Sequence, residues 1–257
     1  MEKVSATVIC HNEEVNIRAC LESLRWADEI IVVDAGSSDG TVAIAREYTD
    51  RVHTNPWPGH KEQKNFAVDR AAGPWIFSLD ADERVSPELA ARIREVVENP
   101  RHDGYRFPRD NYFLGHRMRH GGWYPDYVLR LFRREKGRFT GINPHDYVAI
   151  DGGNVGIIPL PITHITYRSF SQYVRKQLSY SEIGAAEMEK RRRDGRIPGG
   201  GRFLSGFLFK FLETYLWKGG FLDGWPGFVA SMGGAYAKMG RLVIYRERVD
   251  RREAPVP

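Results

Sequence analysis

Short apolar runs and helix-spaced apolar residues alternate along the first hundred residues. The runs "SATVIC", "IIVV" and "WIFSL" have strand length and are mostly apolar or β-branched. Between them, "EEVNIRACLESL" and "KEQKNFAVDRAA" space their apolar residues as one face of a helix does. Strands joined through helices predict right-handed crossovers and a mostly parallel sheet covered by helices on both faces, which is a three-layer α/β fold.

The pattern changes after residue 100. Arg, Gly and aromatic residues become frequent, and "GYRFPRDNYF", "YVLRLFRR" and "HDYVAI" have the pattern of short strands. Residues 168–196 have the pattern of a polar helix, and two amphipathic or apolar segments follow from residue 202. We therefore expect an α/β domain over residues 1–167, made of halves 1–100 and 101–167, and a helical C-terminal extension over residues 168–257.

Three carboxylates crowd the end of a buried strand in "FSLDADERVSPEL", namely Asp80, Asp82 and Glu83. This crowding is unfavourable unless a cation, a hydrogen-bond network or water relieves the repulsion. Carboxylate oxygens suit hard cations such as Mg²⁺ or Mn²⁺, which keep positions open for substrate phosphates. The alternative is a solvated loop in which Asp82 or Ser86 caps the next helix. For Ser86, which is followed by Pro87, the capping role is the expected one.

Polar clusters follow each of the buried strands, as "CHNEE", "DAGSSDGT" and "DADE". In open α/β sheets, ligands bind at the carboxyl ends of the strands, so these clusters are expected to converge on one crevice. The first of them has no G-x-G-x-x-G, because residues 10–15 are "CHNEEV". A dinucleotide-dependent oxidoreductase is therefore disfavoured.

Composition and net charge limit the kinds of binding partner that we expect. The 257 residues carry a net charge of +5, with the basic excess mostly after residue 100. This favours a polyanionic partner such as nucleotide phosphates, an anionic membrane surface or a phosphorylated lipid. The basic stretches are dispersed and form no recognised module, so no nucleic acid is expected. Two cysteines, no secretory signal and no run of 18 apolar residues predict a cytoplasmic protein without an ordinary membrane span.

The sequence resembles the family 2 glycosyltransferases of GT-A fold in four ordered motifs of the first hundred residues: "VICHNEE", "IIVVDAGSSDGT", the pair Lys64-Asn65, and "SLDADE" as the DXD element. The remainder resembles a narrower branch, the bacterial lipopolysaccharide core glycosyltransferases, in "RDNYFLGHRMRHGGWYPDYVLRLFRR" and "FLDGWPGF". The resemblance implies inverting transfer of a sugar, with glucose indicated, from a UDP-sugar to an acceptor hydroxyl. Residues 1–100 would then be the nucleotide-binding half and residues 101–167 the acceptor-side half.

Several residues are candidates for the nucleotide-sugar site. The motif match with the family assigns most of them. Arg130 is added because one arginine of the strand-like "VLRLFRR" is expected to contact the diphosphate. The candidates are Asn12, Glu13, Asp34, Lys64, Asp80, Ala81 and Arg130. Alternatives exist for three of them. Asp34 would cap a turn, Glu13 would begin a helix where negative charge is favoured, and Lys64 would lie on a solvated helix face.

The resemblance also implies a divalent metal, Mn²⁺ or Mg²⁺, that stabilises the leaving diphosphate. Asp82 of the DXD element is the first candidate ligand. His164 in "PITHITY" matches the position at which many GT-A enzymes present a histidine to the metal, and a neutral imidazole is an acceptable ligand. The alternative for His164 is an ordinary core or surface residue.

An inverting transfer needs a base for the acceptor hydroxyl, and a carboxylate is the usual choice. Where relatives of this branch carry a His-Glu pair, this chain has His145-Asp146 after Pro144. Asp146 is therefore the favoured base. Asp126, in the Gly- and aromatic-rich "GGWYPDYV", is the competing candidate, and a turn or an ion pair with arginine is the alternative for both.

The tail carries aromatic and aliphatic residues between the basic segments "EKRRRDGR" and "RERVDRR". This combination is typical of helices at an anionic membrane surface, whereas packing on the domain or a homodimer contact is the alternative. The predicted function is sugar transfer to a lipopolysaccharide core or a similar lipid-linked glycan at the cytoplasmic face of the bacterial inner membrane. Competing interpretations are a non-catalytic nucleotide-sugar-binding protein and a glycosyltransferase with a protein or polyprenyl phosphate acceptor.

Overall fold

The apolar runs form strands in the computed structural model, which describes residues 2–142, 145–191 and 200–253. The strands that it describes are β1 (Val4–Cys10), β2 (Glu29–Asp34), β3 (Val52–Thr54), β4 (Trp75–Asp80), β5 (Glu83–Arg84), β6 (Gly104–Phe113), β7 (His116–Arg117), β8 (Tyr127–Arg133), β9 (Gly137–Ile142), β10 (His145–Ile150), β11 (Val155–Ile157) and β12 (Ile162–Tyr167).

Helices separate the first strands and form most of the tail. Within the described ranges they are α1 (Glu14–Glu22), α2 (Thr41–Arg46), α3 (His60–Asp69), α4 (Pro87–Glu98), α5 (Phe170–Arg191), α6 (Gly200–Leu212) and α7 (Gly224–Glu253). A π-helical turn, Glu213–Trp217, and a 3₁₀ turn, Gly220–Asp223, lie between α6 and α7. The polar helix expected over residues 168–196 is observed as α5, and residues 192–199 lie outside the described part.

The main sheet has the strand order β3-β2-β1-β4-β8-β6-β12-β5. β3, β2, β1 and β4 are parallel, so that Val8 of β1 lies between Val32 of β2 and Leu79 of β4. β8 is antiparallel to β4 and pairs Leu131 with Phe77. The sheet therefore changes from parallel to antiparallel beyond β4, the strand that ends in the carboxylate cluster.

Strand alternation buries both faces of the parallel strands. Ile9, Ile31 and Ile76 lie in a core cluster with Ala67 and Val68 of α3. The residues with the opposite orientation, including Val8, Val32 and Phe77, lie in a second cluster with α1 and α4. Because successive side chains of a strand point to opposite faces, a continuous apolar run is the pattern expected of a strand covered on both sides. The three-layer α/β prediction is confirmed.

Ser86 begins α4. Its Oγ accepts a hydrogen bond from Leu89 N at 3.1 Å, and Pro87 occupies the first helical position, where a missing N–H has no cost. The predicted capping role of Ser86 is confirmed, and the chain passes from Asp82 through β5 into this helix.

The chain divides into two compact units. Unit 1 comprises Met1–Asp110 and Pro125–Ile165, and unit 2 comprises Asn111–Tyr124 and Thr166–Pro257. Unit 2 contains its own apolar cluster, in which Phe113 packs edge-on against Tyr167 and Tyr173. No helix of the described ranges is long and apolar enough to cross a membrane.

Candidate active site

Three polar segments follow neighbouring strands of unit 1. In the sheet register, Cys10 at the end of β1 pairs with Asp34 of β2, and Ile9 pairs with Asp80 of β4. The loops that start after β1, β2 and β4 therefore leave the sheet at the same edge, where α/β folds bind ligands.

Asp34 organises the loop after β2. Its buried carboxylate accepts hydrogen bonds from Gly36 N and Ser37 N, both at 2.9 Å, and from the Ser37 hydroxyl. Asn12, at a φ of 54°, joins this loop to the end of β1, because its Oδ1 accepts from Ser38 N at 2.8 Å. The turn-capping alternative for Asp34 is thus present, and nucleotide binding by Asp34 and Asn12 stays a prediction.

Glu13 lies at the start of α1. Its backbone N–H donates to the Thr41 hydroxyl at 2.7 Å, and its Oε2 accepts from Asn16 Nδ2 at 2.7 Å. These contacts agree with the helix-start alternative, and they leave the ligand role of Glu13 a prediction. Ala81 is buried in the core of unit 1, so only its backbone could contact a nucleotide sugar.

Arginine and lysine side chains of the protein offset the charge of Asp80. Arg130 Nη2 donates to Asp80 Oδ2 at 2.6 Å, and Lys64 Nζ lies 3.2 Å from Asp80 Oδ1. Desolvation raises the pKa of Asp80, but the charges of Arg130 and Lys64 outweigh it and hold that pKa well below its usual range. The solvated-face alternative for Lys64 is wrong, because this side chain of α3 is buried, and the donor contact of Lys64 stays a prediction.

Glu83 completes this ion-pair network and has no accessible surface. Its Oε1 accepts from Arg130 Nη2 at 2.6 Å and from Arg109 Nη1 at 3.3 Å, and its Oε2 accepts from Asp80 N at 3.0 Å. Neither Glu83 nor Arg109 was predicted to have a role. The only signal for Glu83 was its place in the crowded "DADE", and Arg109 had none beyond the abundance of arginine.

Asp82 and His164 are brought together by strand pairing. β5 pairs with β12 so that His164 lies opposite Glu83, and His164 Nε2 is 3.4 Å from Asp82 Oδ2. Burial lowers the pKa of His164, but the hydrogen bond and the charge of Asp82 outweigh it and raise that pKa above its usual value. The two predicted metal ligands are therefore neighbours, although 82 positions separate them in the sequence.

The environment of Asp82 Oδ1 shows that Asp82 and His164 fit a metal ion. Asp82 Oδ1 is buried, and no donor from the described residues lies within hydrogen-bond distance. An unsatisfied buried carboxylate oxygen is costly, and a bound cation removes that cost. One carboxylate and one imidazole fit a divalent cation that takes its other ligands from a diphosphate and water. Among the described side chains, no group of three or more metal-binding residues is present.

Both candidate bases form ion pairs. Asp146 Oδ2 lies 3.1 Å from Lys64 Nζ, and its side chain is 5% exposed. Asp126 Oδ2 accepts from Arg109 Nε at 2.9 Å and from Arg109 Nη2 at 2.5 Å, and its side chain is 36% exposed. Pro144 and the side chain of His145 lie outside the described part. The ion-pair alternative is thus present for both carboxylates, and the base assignment stays a prediction.

Arg130 and Arg133 of "VLRLFRR" lie on opposite faces of β8. Arg130 is buried at the carboxylate cluster, whereas Arg133 contacts Asp103 at 3.6 Å and its guanidinium lies 4.7 Å from the centre of the Trp75 ring. An odd spacing in a strand puts two side chains on opposite faces, so Arg130 alone of this pair faces the cluster.

Comparison with known proteins identifies the family. The model of "Glycosyl transferase family 2" matches residues 5–153. Lipopolysaccharide core biosynthesis glycosyltransferase LpsC of Rhizobium meliloti (strain 1021) is 33% identical over 95% of this chain and 92% of its own length. An uncharacterized glycosyltransferase of Rickettsia felis is 30% identical over 96% of this chain and 90% of its own length. The chain belongs to glycosyltransferase family 2, and its fold is the GT-A fold with a helical C-terminal extension.

Solved structures are more distant. The alignment with S. aureus TarS 1-349 in complex with UDP covers 99% of this chain and 93% of the TarS chain, with 13% sequence identity and a TM-score of 0.49. The mannosyltransferase PcManGT from Pyrobaculum calidifontis, in complex with GDP-Man and Mn²⁺, aligns with 100% of this chain and 76% of its own, at 15% identity and a TM-score of 0.48.

Replacing Glu83 with Ala should destabilise the protein strongly. The change leaves the buried guanidinium of Arg130 with one counter-charge fewer, and breaking a buried ion pair costs about 3–5 kcal/mol. The measurement is urea denaturation of the full chain. Arg138→Ala is the control, because Arg138 and its partner Asp69 are both more than half exposed, and it should leave the midpoint nearly unchanged. A loss below about 1 kcal/mol for Glu83→Ala would show that Asp80 and Asp126 are sufficient partners.

Proposed function

We propose that this protein transfers a sugar, with inversion, from a UDP-sugar to a lipopolysaccharide core or a similar lipid-linked glycan. The observation that carries the proposal is the cluster at the end of β4, where Lys64, Arg130 and His164 surround the DXD carboxylates of a family 2 chain. Glucose is the proposed sugar, and it rests on the resemblance of the sequence to lipopolysaccharide core glucosyltransferases.

Lys64 and Arg130 supply the positive charge that a leaving diphosphate requires. Both cations are buried beside Asp80, so the charge that develops on a departing UDP would be stabilised by groups that need no large reorganisation. Asp80 orients them and, as an acceptor, is the proposed contact for a ribose or donor-sugar hydroxyl. Asp34 and Asn12 at the neighbouring strand ends are the proposed contacts for the uridine.

Asp82 and His164 are the residues that would hold Mn²⁺ or Mg²⁺, since the unsatisfied Asp82 Oδ1 and the adjacent imidazole fit such a cation. When bound, the ion supplies charge stabilisation to the diphosphate.

Asp146 is the proposed base. In the structure Lys64 Nζ lies between Asp146 at 3.1 Å and Asp80 at 3.2 Å. A bound diphosphate attracts Lys64 and weakens its contact with Asp146. The carboxylate then becomes available to take the acceptor proton as the acceptor oxygen attacks the anomeric carbon and UDP leaves. Donor binding would thereby activate the base.

The second candidate function is nucleotide-sugar binding without turnover. It is favoured by the ion pairs of both candidate bases, Asp146 with Lys64 and Asp126 with Arg109. Slow hydrolysis of UDP-glucose in the absence of acceptor, lost in Asp82→Ala, would exclude this interpretation.

UDP should bind the purified protein in the presence of Mn²⁺ and about tenfold or more weakly in EDTA, because the diphosphate then lacks a counter-charge at Asp82. Isothermal titration measures this, with Asp82→Ala expected to reproduce the EDTA result in the presence of metal. Asp69→Asn, an exposed carboxylate on α3, is the control and should bind as the unmodified chain does. Equal UDP affinity in Mn²⁺ and EDTA would contradict metal-assisted binding, and no UDP binding at all would remove the proposed function.

Asp146→Asn should reduce kcat by roughly 10²–10⁴-fold, the usual contribution of a general base. Its affinity for UDP should be kept or increased, because Lys64 loses a competing partner. Turnover of UDP-glucose with deacylated lipopolysaccharide core oligosaccharide is the assay, and Asp126→Asn is the matched comparison. A large kcat loss in Asp126→Asn with normal turnover in Asp146→Asn would instead identify Asp126 as the base.

Unit 2 offers a surface for the membrane that carries a lipid-linked acceptor. Leu204, Leu208 and Leu212 repeat every four residues along α6 and are exposed, and Trp217 in the π-helical turn is 67% exposed. Lys210 and Lys218 lie in the same segment and suit anionic headgroups. We propose that this segment lies in the interface of the bacterial inner membrane at its cytoplasmic face.

The full chain should pellet with vesicles of phosphatidylglycerol and phosphatidylethanolamine. Replacing Leu208 and Trp217 together with Ser should reduce the bound fraction by about fivefold, because buried apolar area drives interfacial binding. Val15→Ser, an equally exposed apolar residue of unit 1, is the control and should have no effect. A different outcome would contradict membrane binding: the chain does not pellet with vesicles, and sedimentation velocity shows a dimer that the double substitution dissociates. The segment would then be a contact between two copies of the chain.

A further inference from the structure

Two sequence segments remain without a role in the proposed function, "RHGGWY" and "FLDGWPGF". Within unit 2 they meet at one carboxylate. Asp223 Oδ2 accepts hydrogen bonds from Arg119 N at 3.0 Å and His120 N at 2.8 Å, and Asp223 Oδ1 is 2.8 Å from His120 Nδ1. The loop and the 3₁₀ turn that carry the two motifs are therefore joined by a buried aspartate and a histidine.

This contact determines the tautomer of His120. An ionised carboxylate can only accept hydrogen bonds, so the Nδ1–H group of His120 donates a hydrogen bond to Asp223 Oδ1. In the neutral imidazole the other nitrogen, Nε2, then holds a lone pair and accepts. Asp223 is 6% exposed and His120 is 38% exposed, which places a fixed imidazole acceptor at the surface of unit 2.

Glycines build the turn that presents Asp223. Gly219 and Gly224, with φ of 68° and 65°, flank it in the left-handed region. A Cβ on Gly227 would lie 1.8 Å from Gly220 O, so only glycine permits this approach. Gly121 N donates to Lys218 O at 2.8 Å and ties the histidine loop to the same turn. The aspartate and histidine are thus held on close-packed backbone.

Structural support alone does not require the imidazole. The two backbone N–H groups of the loop already bind Asp223, and the ring of His120, which is 38% exposed, adds a third donor. Lys218 lies over the same loop, because its Cδ would be 3.3 Å from a Cβ on Gly122. Lys218 Nζ would lie 3.7 Å from a Cβ on Gly122, so this donor contacts the loop two residues from His120.

The lysines of this segment contact one carboxylate. Glu213 lies 2.7 Å from Lys218 Nζ and 3.0 Å from Lys210 Nζ. The acceptor on His120 and the donor on Lys218 suit hydroxyl groups, which both donate and accept hydrogen bonds.

We propose that His120, held by Asp223, binds a sugar unit of the acceptor glycan through its hydroxyl groups. The inference rests on the proposed function and extends it to the acceptor. His120 Nε2 accepts from one hydroxyl, and Lys218 Nζ donates to a neighbouring one. Asp223 is a positioning residue that acts through the tautomer of His120.

The experiment titrates deacylated lipopolysaccharide core oligosaccharide into the full chain and follows the histidine ring signals by NMR. The signal of His120 should shift to saturation. In His120→Asn the amide nitrogen replaces Nδ1 and keeps the bond to Asp223, but no atom replaces Nε2, so the affinity should fall roughly 3- to 10-fold. His102→Asn is the matched control, because His102 Nδ1 also binds a side-chain oxygen, Asn154 Oδ1 at 2.7 Å, and it should bind normally.

Asp223→Asn separates binding from structure. The Asn side chain can still accept from the loop backbone while its NH₂ faces His120, so the imidazole should change to the Nε2–H tautomer, visible in long-range ¹H–¹⁵N spectra. Its affinity for the oligosaccharide should fall as in His120→Asn, with the melting temperature nearly unchanged.

Three results would overturn the inference. The first is a normal affinity of His120→Asn for the oligosaccharide, and the second is the absence of a shift of the His120 signal in the unmodified chain. The third is loss of binding when the phosphate groups of the oligosaccharide are removed, which would indicate an anion site. UDP binding is measured on every variant and should not change. The failure of this inference is therefore distinguishable from failure of the proposed function.

Discussion

Glu83 and Arg130 face each other without access to water at the end of β4, and the candidate active site is arranged around this ion pair. Asp80 shares the same guanidinium nitrogen, and Arg109 links Glu83 to Asp126. A buried charge is tolerated only with partners, so the positions of these residues depend on one another. The repulsion among the DXD carboxylates is relieved by protein cations at Asp80 and Glu83, whereas one oxygen of Asp82 remains unsatisfied.

The sheet explains why these residues meet. The parallel strands β1, β2 and β4 end at one edge, and β8 returns antiparallel beside β4, which brings Arg130 beside the carboxylates. The pairing of β5 with β12 adds His164 from a distant part of the sequence. A site assembled from strand ends is held by the core on both faces of the sheet, so its geometry is supported by apolar packing rather than by the loops alone.

Unit 2 is stabilised by other features than the ion-pair network of unit 1. Its turn around Asp223 depends on glycines that allow close backbone approach, and its helices leave apolar side chains exposed along α6. The residues proposed to bind the donor belong to unit 1, and the residues proposed to bind a sugar of the acceptor and the membrane belong to unit 2.

The sequence by itself determined the strands and helices of the first hundred residues, the Ser86 cap and the family, because strand and helix periodicity, capping and contiguous motifs are local properties. It could place Asp80, Asp82 and Asp34 at strand ends. It could not show that Lys64 is buried, that Glu83 lacks solvent, or that Arg109 holds Asp126. It also could not join His120 to Asp223, which is 103 residues distant. Only the tertiary structure decided these contacts, since burial and charge pairing depend on which strands and turns become neighbours in space.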